Sequence, residues 1–69
     1  MLIYPNLKAE MARKGFSQKD LAKALNMYEP GISYKMHSKS GFTVTEAIRV
    51  KKLLGVEMPL EVLFERAEV

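Results

Sequence analysis

The sequence predicts an all-α domain, and three observations carry that prediction. Apolar residues recur at helical spacing, most plainly Leu60, Leu63, Phe64 and Ala67 at i, i+3, i+4 and i+7. Helix-start chemistry appears twice in the same form, Ser17 followed by Asp20 and Thr43 followed by Glu46. No segment sustains the period-2 alternation of β-branched residues that marks a strand, so strands are not expected.

Punctuation divides the 69 residues into five short helical pieces, with connections of about 2 to 6 residues. Pro5 suits the first turn of a helix, where its missing N–H removes no bond. Leu7 and Met11 share one face of that helix, with Tyr4 entering the stripe, and Gly15 stops it. Ser17 caps the second helix with Asp20 as its capping-box partner, and Leu21, Ala24 and Leu25 form an apolar face. Asn26 follows, a residue that tolerates positive φ, so the chain turns sharply there with Met27 dropping into the angle. The next helix restarts within about three residues and spans about 29–37. Two helices so joined must cross steeply instead of lying antiparallel.

Ala22 provides the small side chain such a crossing needs, and Ile32 and Met36 form the buried stripe of the third helix. Thr43 to Glu46 opens the fourth helix, whose inner stripe is read as Val44, Ala47 and Ile48. Gly55 is its left-handed terminator, with Val56 reaching back toward Val50. Pro59 begins the fifth.

Composition narrows the function. A chain of this length buries only about 60% of its unfolded surface, and it holds no cysteine, so no disulfide framework supports it. One histidine and no cysteine exclude the ordinary zinc clusters, and no cofactor or small-molecule ligand is indicated. No apolar run approaches the roughly 18 residues of a membrane span. The opening MLIYPN lacks the charged leader and apolar stretch of a signal peptide, so a cytoplasmic protein is expected. His37, the serines and Asp20 share no catalytic spacing, and a domain this small leaves no deep pocket to exclude water, so an enzyme is not expected.

Charge is distributed unevenly. Residues 1–40 hold seven Lys/Arg against three Asp/Glu (net +4), residues 41–56 three against one (net +2), and residues 57–69 one against four (net −3). A basic body is one ingredient of a nucleic-acid footprint, although scattered lysines also simply solvate a surface. With Ile32 and Met36 buried, Tyr28, Glu29, Ser33 and Tyr34 point outward, with Lys35 and His37 flanking. Tyrosine and serine on one face suit hydrogen bonding and apolar contact with base edges. A solvated face with two half-buried tyrosines is the plain alternative. Pro30 fixes φ at the tip without losing a helical bond, and Gly31 keeps that tip slim for a close approach, although Gly costs a helix about 1 kcal/mol relative to Ala.

These residues resemble the lambda-repressor/Cro-like helix-turn-helix family. Gln18, Ala22, Asn26, Ile32 and Ser33 fall where that family places its leading Gln, its small inter-helix residue, its turn Gly, its buried β-branched residue and the polar residue after it. Leu7 to Gly15 looks like its first helix, Thr43 to Gly55 like its fourth with the common Leu-Gly-Val ending, and Pro59 to Phe64 like its fifth. The resemblance covers residues 5–65, and Lys8 to Gly15 is also similar to small phage repressors of Gram-positive bacteria.

The resemblance implies a compact five-helix domain with a helix-turn-helix formed by the second and third helices. It implies a small transcriptional regulator, a phage or prophage Cro-like repressor, that binds double-stranded DNA sequence-specifically. Tyr28, Glu29, Pro30, Ser33 and Tyr34 are then the base-facing residues of a recognition helix in the major groove. Gln18 matches the family's phosphate anchor, and Lys19, Lys35, His37 and Lys39, with Ser40, are further phosphate candidates. Arg13 and Lys14 add long-range attraction, whereas Arg49, Lys51 and Lys52 face solvent with Glu46 near Arg49. A homodimer on two half-sites about 34 Å apart is the family expectation.

Three departures stand out. Asn26 replaces the turn Gly. Tyr28 stands where a Ser or Thr cap is common, leaving orphan donors at the helix start. No Arg or Gln lies at the tip, and Glu29 there accepts from cytosine but repels phosphate. The rival reading is a protein-interaction module built on the same helices, such as an antitoxin or antirepressor partner, contacting through the acidic last helix.

Overall fold

The computed structural model describes residues 1–69 and contains five helices in the expected order. They are α1 (Pro5–Lys14), α2 (Gln18–Leu25), α3 (Glu29–His37), α4 (Val44–Leu54) and α5 (Leu60–Leu63). The helix ends follow the local chemistry closely. Ser17 Oγ accepts from the Asp20 N–H while the Asp20 carboxylate accepts from the Ser17 N–H, and Thr43 and Glu46 make the same reciprocal pair. Gly15 and Asn26 both adopt the left-handed conformation, with φ of 74° and 55°. Each is followed by a Schellman bond: the Phe16 N–H donates to Met11 O and the Met27 N–H to Ala22 O. Asn26 thus ends α2 in the left-handed conformation that glycine more commonly supplies.

The apolar faces converge on one core of Tyr4, Leu7, Met11, Leu21, Ala22, Leu25, Ile32, Met36, Val50, Leu54 and Leu63. Leu7, Leu21, Ile32, Val50 and Leu63 are completely buried, one from each helix. α2 packs on both α3 and α4, and α1 contacts α4 and α5. The molecule measures 26 × 26 × 21 Å.

Four local expectations are corrected. First, two short strands form: β1 (Leu2–Ile3) and β2 (Ala67–Glu68) pair antiparallel, with Leu2 opposite Glu68 and Ile3 opposite Ala67. Two residues are too few to display an alternation pattern, so only the meeting of the two segments in space reveals them. Second, Ala67 therefore leaves the fifth helix, which is a single turn ending at Leu63 with Phe64 as its C-cap. Third, Val44 is 72% exposed and Ile48 40%, and the inner stripe of α4 is Ala47, Val50 and Leu54 instead. The helix is rotated by packing Val50 and Leu54 inward, a choice that periodicity alone leaves open. Fourth, Ala24 is exposed and leaves the apolar face of α2, which is Leu21, Ala22 and Leu25, with Ala22 buried as expected. Gly55 is left-handed as expected, but α4 ends with a single bond from the Gly55 N–H to Lys51 O, the simpler αL closure.

Candidate nucleic-acid interface

α3 is divided sharply between a buried and an exposed side. Ile32 and Met36 are in the core, while Glu29, Pro30, Ser33 and Tyr34 are exposed, as is Tyr28 at the N-cap. Tyr28 is 87% and Tyr34 69% exposed. A tyrosine ring left in water forgoes the stabilisation of about 1.5–3 kcal/mol that burying a large side chain supplies. Each of the five residues expected to be base-facing is exposed.

The tip of α3 is weakly capped, in keeping with Tyr28 at the N-cap, which makes no side-chain cap bond. The orphan donors are fewer than expected, however. Pro30 has no N–H, and the Gly31 and Ile32 amides both donate to Tyr28 O at 3.0 and 3.2 Å. Glu29 is left as the one amide of that turn without an intrahelical acceptor. Gly31 also works differently from the expectation. A Cβ added there would sit 3.3 Å from Met27 Cε, so the bare Cα makes room for Met27 in the bend and does not thin the outer face.

The flanking residues separate into free and engaged groups. Lys19 and Lys39 are exposed, and Gln18 is half-buried at the first turn of α2. Ser40 is exposed beside Ser38, their hydroxyls 3.4 Å apart. Lys35, by contrast, is half-buried and its Nζ lies 2.7 and 2.9 Å from the two Glu46 oxygens. It ties α3 to the first turn of α4, and Glu46 faces this partner and not Arg49. Burial pushes the Glu46 carboxyl up, but the hydrogen bonds from Lys35 and Thr43 and the Lys35 charge outweigh it and hold it below the ordinary value. His37 is exposed, with Nδ1 3.0 Å from Leu2 O. A carbonyl only accepts, so Nδ1 carries the hydrogen. While the ring is neutral its Nε2 is an acceptor, and only the imidazolium donates from both nitrogens. Arg13 is paired with Glu10 one turn back, which leaves Lys14 as the unpaired cation at that end of α1.

A further group had no role in the sequence reading. Arg66, assigned to the acidic end by charge alone, reaches across to the loop after α3. It donates to Ser38 O, Lys39 O and Met36 O and stacks 4.0 Å over the Tyr4 ring. Tyr4, Phe42 and Phe64 form an aromatic triad with centroids 5.5–5.8 Å apart. The only hint in the sequence is a lone Arg among four glutamates in residues 57–69. No set of three or more His, Asp or Glu side chains converges to hold a metal, and no helix is long and apolar enough to cross a membrane.

No family model, curated protein or solved structure matches this chain.

Proposed function

We propose that this protein binds double-stranded DNA sequence-specifically as a small transcriptional regulator, with α2 and α3 acting as a helix-turn-helix and α3 entering the major groove. One observation carries the reading: α3 anchors Ile32 and Met36 in the core while presenting Tyr28, Glu29, Pro30, Ser33 and Tyr34 together in solvent. The left-handed Asn26 and its Schellman bond give α2 and α3 the short, fixed joint that such a pair requires. Lys19 and Lys39 flank the same helix in sequence and are free to meet phosphate. Lys35 is assigned to scaffolding by its pairing with Glu46. Repression at a phage-type operator, by a dimer on two half-sites, is the form of the activity that the residue pattern suggests.

The test is binding of the chain to a random duplex library at two ionic strengths, with the bound sequences read out. An enriched sequence, together with a log–log fall of affinity with salt, supports the reading. Association with duplex DNA that is absent or independent of salt removes it.

A second reading has its own observation. Val44 and Ile48 are exposed one turn apart on α4, and Val62 is 37% exposed on α5. Apolar side chains in solvent suit a protein partner, so the same helices could serve an antitoxin-like or antirepressor complex. In that case mutating α4, and not α3, abolishes the interaction.

A further inference from the structure

The residues after α5 were expected only to finish a helix and carry negative charge. Instead they insert a cation beneath the loop that follows α3. Resting on the DNA-binding reading, we propose that Arg66 is a positioning residue of the interface: it fixes the backbone of residues 38–42 so that Lys39 and Ser40 are presented to the phosphate backbone beside α3.

The geometry is specific. α3 ends at His37, and the last carbonyls of a helix lack internal partners. The Arg66 guanidinium supplies donors to Met36 O at 3.2 Å, to Lys39 O at 3.4 Å and, more closely, to Ser38 O. Positive charge at a helix C-terminus is also favoured by the helix dipole. The planar fork allows several carbonyls and the Tyr4 face to be engaged at once, which a lysine ammonium does not reproduce.

The far end of the loop is fixed by the Tyr4 and Ser38 hydroxyls. The Phe42 N–H donates to Tyr4 Oη at 3.1 Å, and the Gly41 N–H donates to Ser38 Oγ at 3.1 Å. Gly41 is buried with φ of 61°, and a Cβ there would lie 1.9 Å from Tyr4 Oη and 2.8 Å from Arg66 Nη1. The loop is pressed directly onto Tyr4 and Arg66. Arg66 Nε is buried without an acceptor, an unfavourable arrangement that persists because the other contacts hold the group. Backbone at 36, 38, 39, 41 and 42 is thus tied down, and Lys39 and Ser40 are the exposed side chains between the ties. A loop ordered before binding spares the complex the entropy of ordering it.

Two readouts test the proposal. The first is amide exchange of the free protein: Arg66→Lys is expected to speed exchange at Gly41 and Phe42 at least about tenfold while leaving the α2 amides unchanged. The second is the salt slope on a random duplex. Lys39→Ala is expected to lower the slope by about 1, the loss of one phosphate contact. Arg66→Lys, although it keeps the charge, is expected to lower it equally, and the two together no further. If Arg66→Lys does not fold, Arg66→Gln is read by exchange alone and is expected to give the same acceleration at Gly41 and Phe42.

Unchanged exchange at Gly41 and Phe42 in the folded variants overturns the proposal. So do fully additive slope losses for Arg66→Lys and Lys39→Ala, since Arg66 then acts independently of the loop. A wild-type chain that binds no duplex overturns the DNA reading instead, and with it the role given to Lys39. The exchange arm still decides whether Arg66 fixes the loop.

Discussion

α3 and α4 are nearly equal in length, at 9 and 11 residues, yet they are built in opposite ways. α4 is stabilised locally: a complete capping box opens it and a left-handed glycine closes it. α3 opens on Glu-Pro-Gly without a side-chain cap, and its stability comes from outside. Ile32 and Met36 lock it into the core, Lys35 ties it to Glu46 of α4, and Arg66 reaches the Met36 carbonyl in its last turn. Tertiary packing routinely outweighs intrinsic helix propensity. A helix held from behind and at its last turn can leave its front and its first turn free, and free surface is what a recognition element needs.

The contrast is broken most severely at the buried anchor. Ile32 is fully buried, so Ile32→Ala is expected to lower the unfolding free energy by about 2–5 kcal/mol. Val44→Ala on the outer side of α4 is expected to stay within about 0.5 kcal/mol. Urea titration of both variants checks the pair. Next in size is the front of α3. Tyr34→Ala is expected to weaken specific DNA binding by about 1–3 kcal/mol with little change on random duplex or in stability. Gln18→Ala is expected to weaken specific and random binding alike. Equal losses for the two variants on both duplexes would refute that division of labour.

The helix starts sharpen the comparison further. Thr43→Ala is expected to cost about 1 kcal/mol of stability by removing the α4 cap. Tyr28→Ser is expected to gain up to about 1 kcal/mol by adding a cap to α3, while weakening DNA binding. Thermal unfolding beside duplex titration separates the two effects.

A smaller effect carries a pH signature. The folded-state pKa of Glu46 is lowered, so its contribution is fully present above the unfolded carboxylate value, about 4.3. That contribution is lost as pH falls through the lower folded value. Glu46→Gln is therefore expected to be less stable than wild type at neutral pH, with the gap closing in acid. Denaturant midpoints at pH 7 and below pH 4.3 follow it. Smallest is Gly31→Ala. Its Cβ meets only the flexible end of Met27, and Ala favours the helix by up to about 1 kcal/mol. A net gain of about 0.5 kcal/mol is expected, without loss of DNA affinity.

Much was legible where the determinants are local. The helix order, both capping boxes, the left-handed stops at Gly15, Asn26 and Gly55, and the burial of Ile32 and Met36 follow from residues within one or two turns of each other. The exposed face of α3 follows as well, because burying two residues four apart turns the others outward. The rotation of α4 was less legible. Val44, Ala47, Ile48, Val50 and Leu54 offer more than one apolar stripe, and the neighbouring helices select among them. Lys35 illustrates the same limit within the site: its partner is eleven residues away, and no local rule distinguishes a cation that meets Glu46 from one that meets phosphate.

The sequence by itself determined where α1 to α4 begin and end and which side of α3 is apolar, since capping, left-handed stops and 3.6-residue periodicity act over a few residues. Only the tertiary structure decided that Leu2 and Ile3 would pair with Ala67 and Glu68, that α5 would stop after one turn, and that Arg66 would close the loop after α3. Those contacts join residues 27 to 66 positions apart. They form only once the core has brought distant segments together.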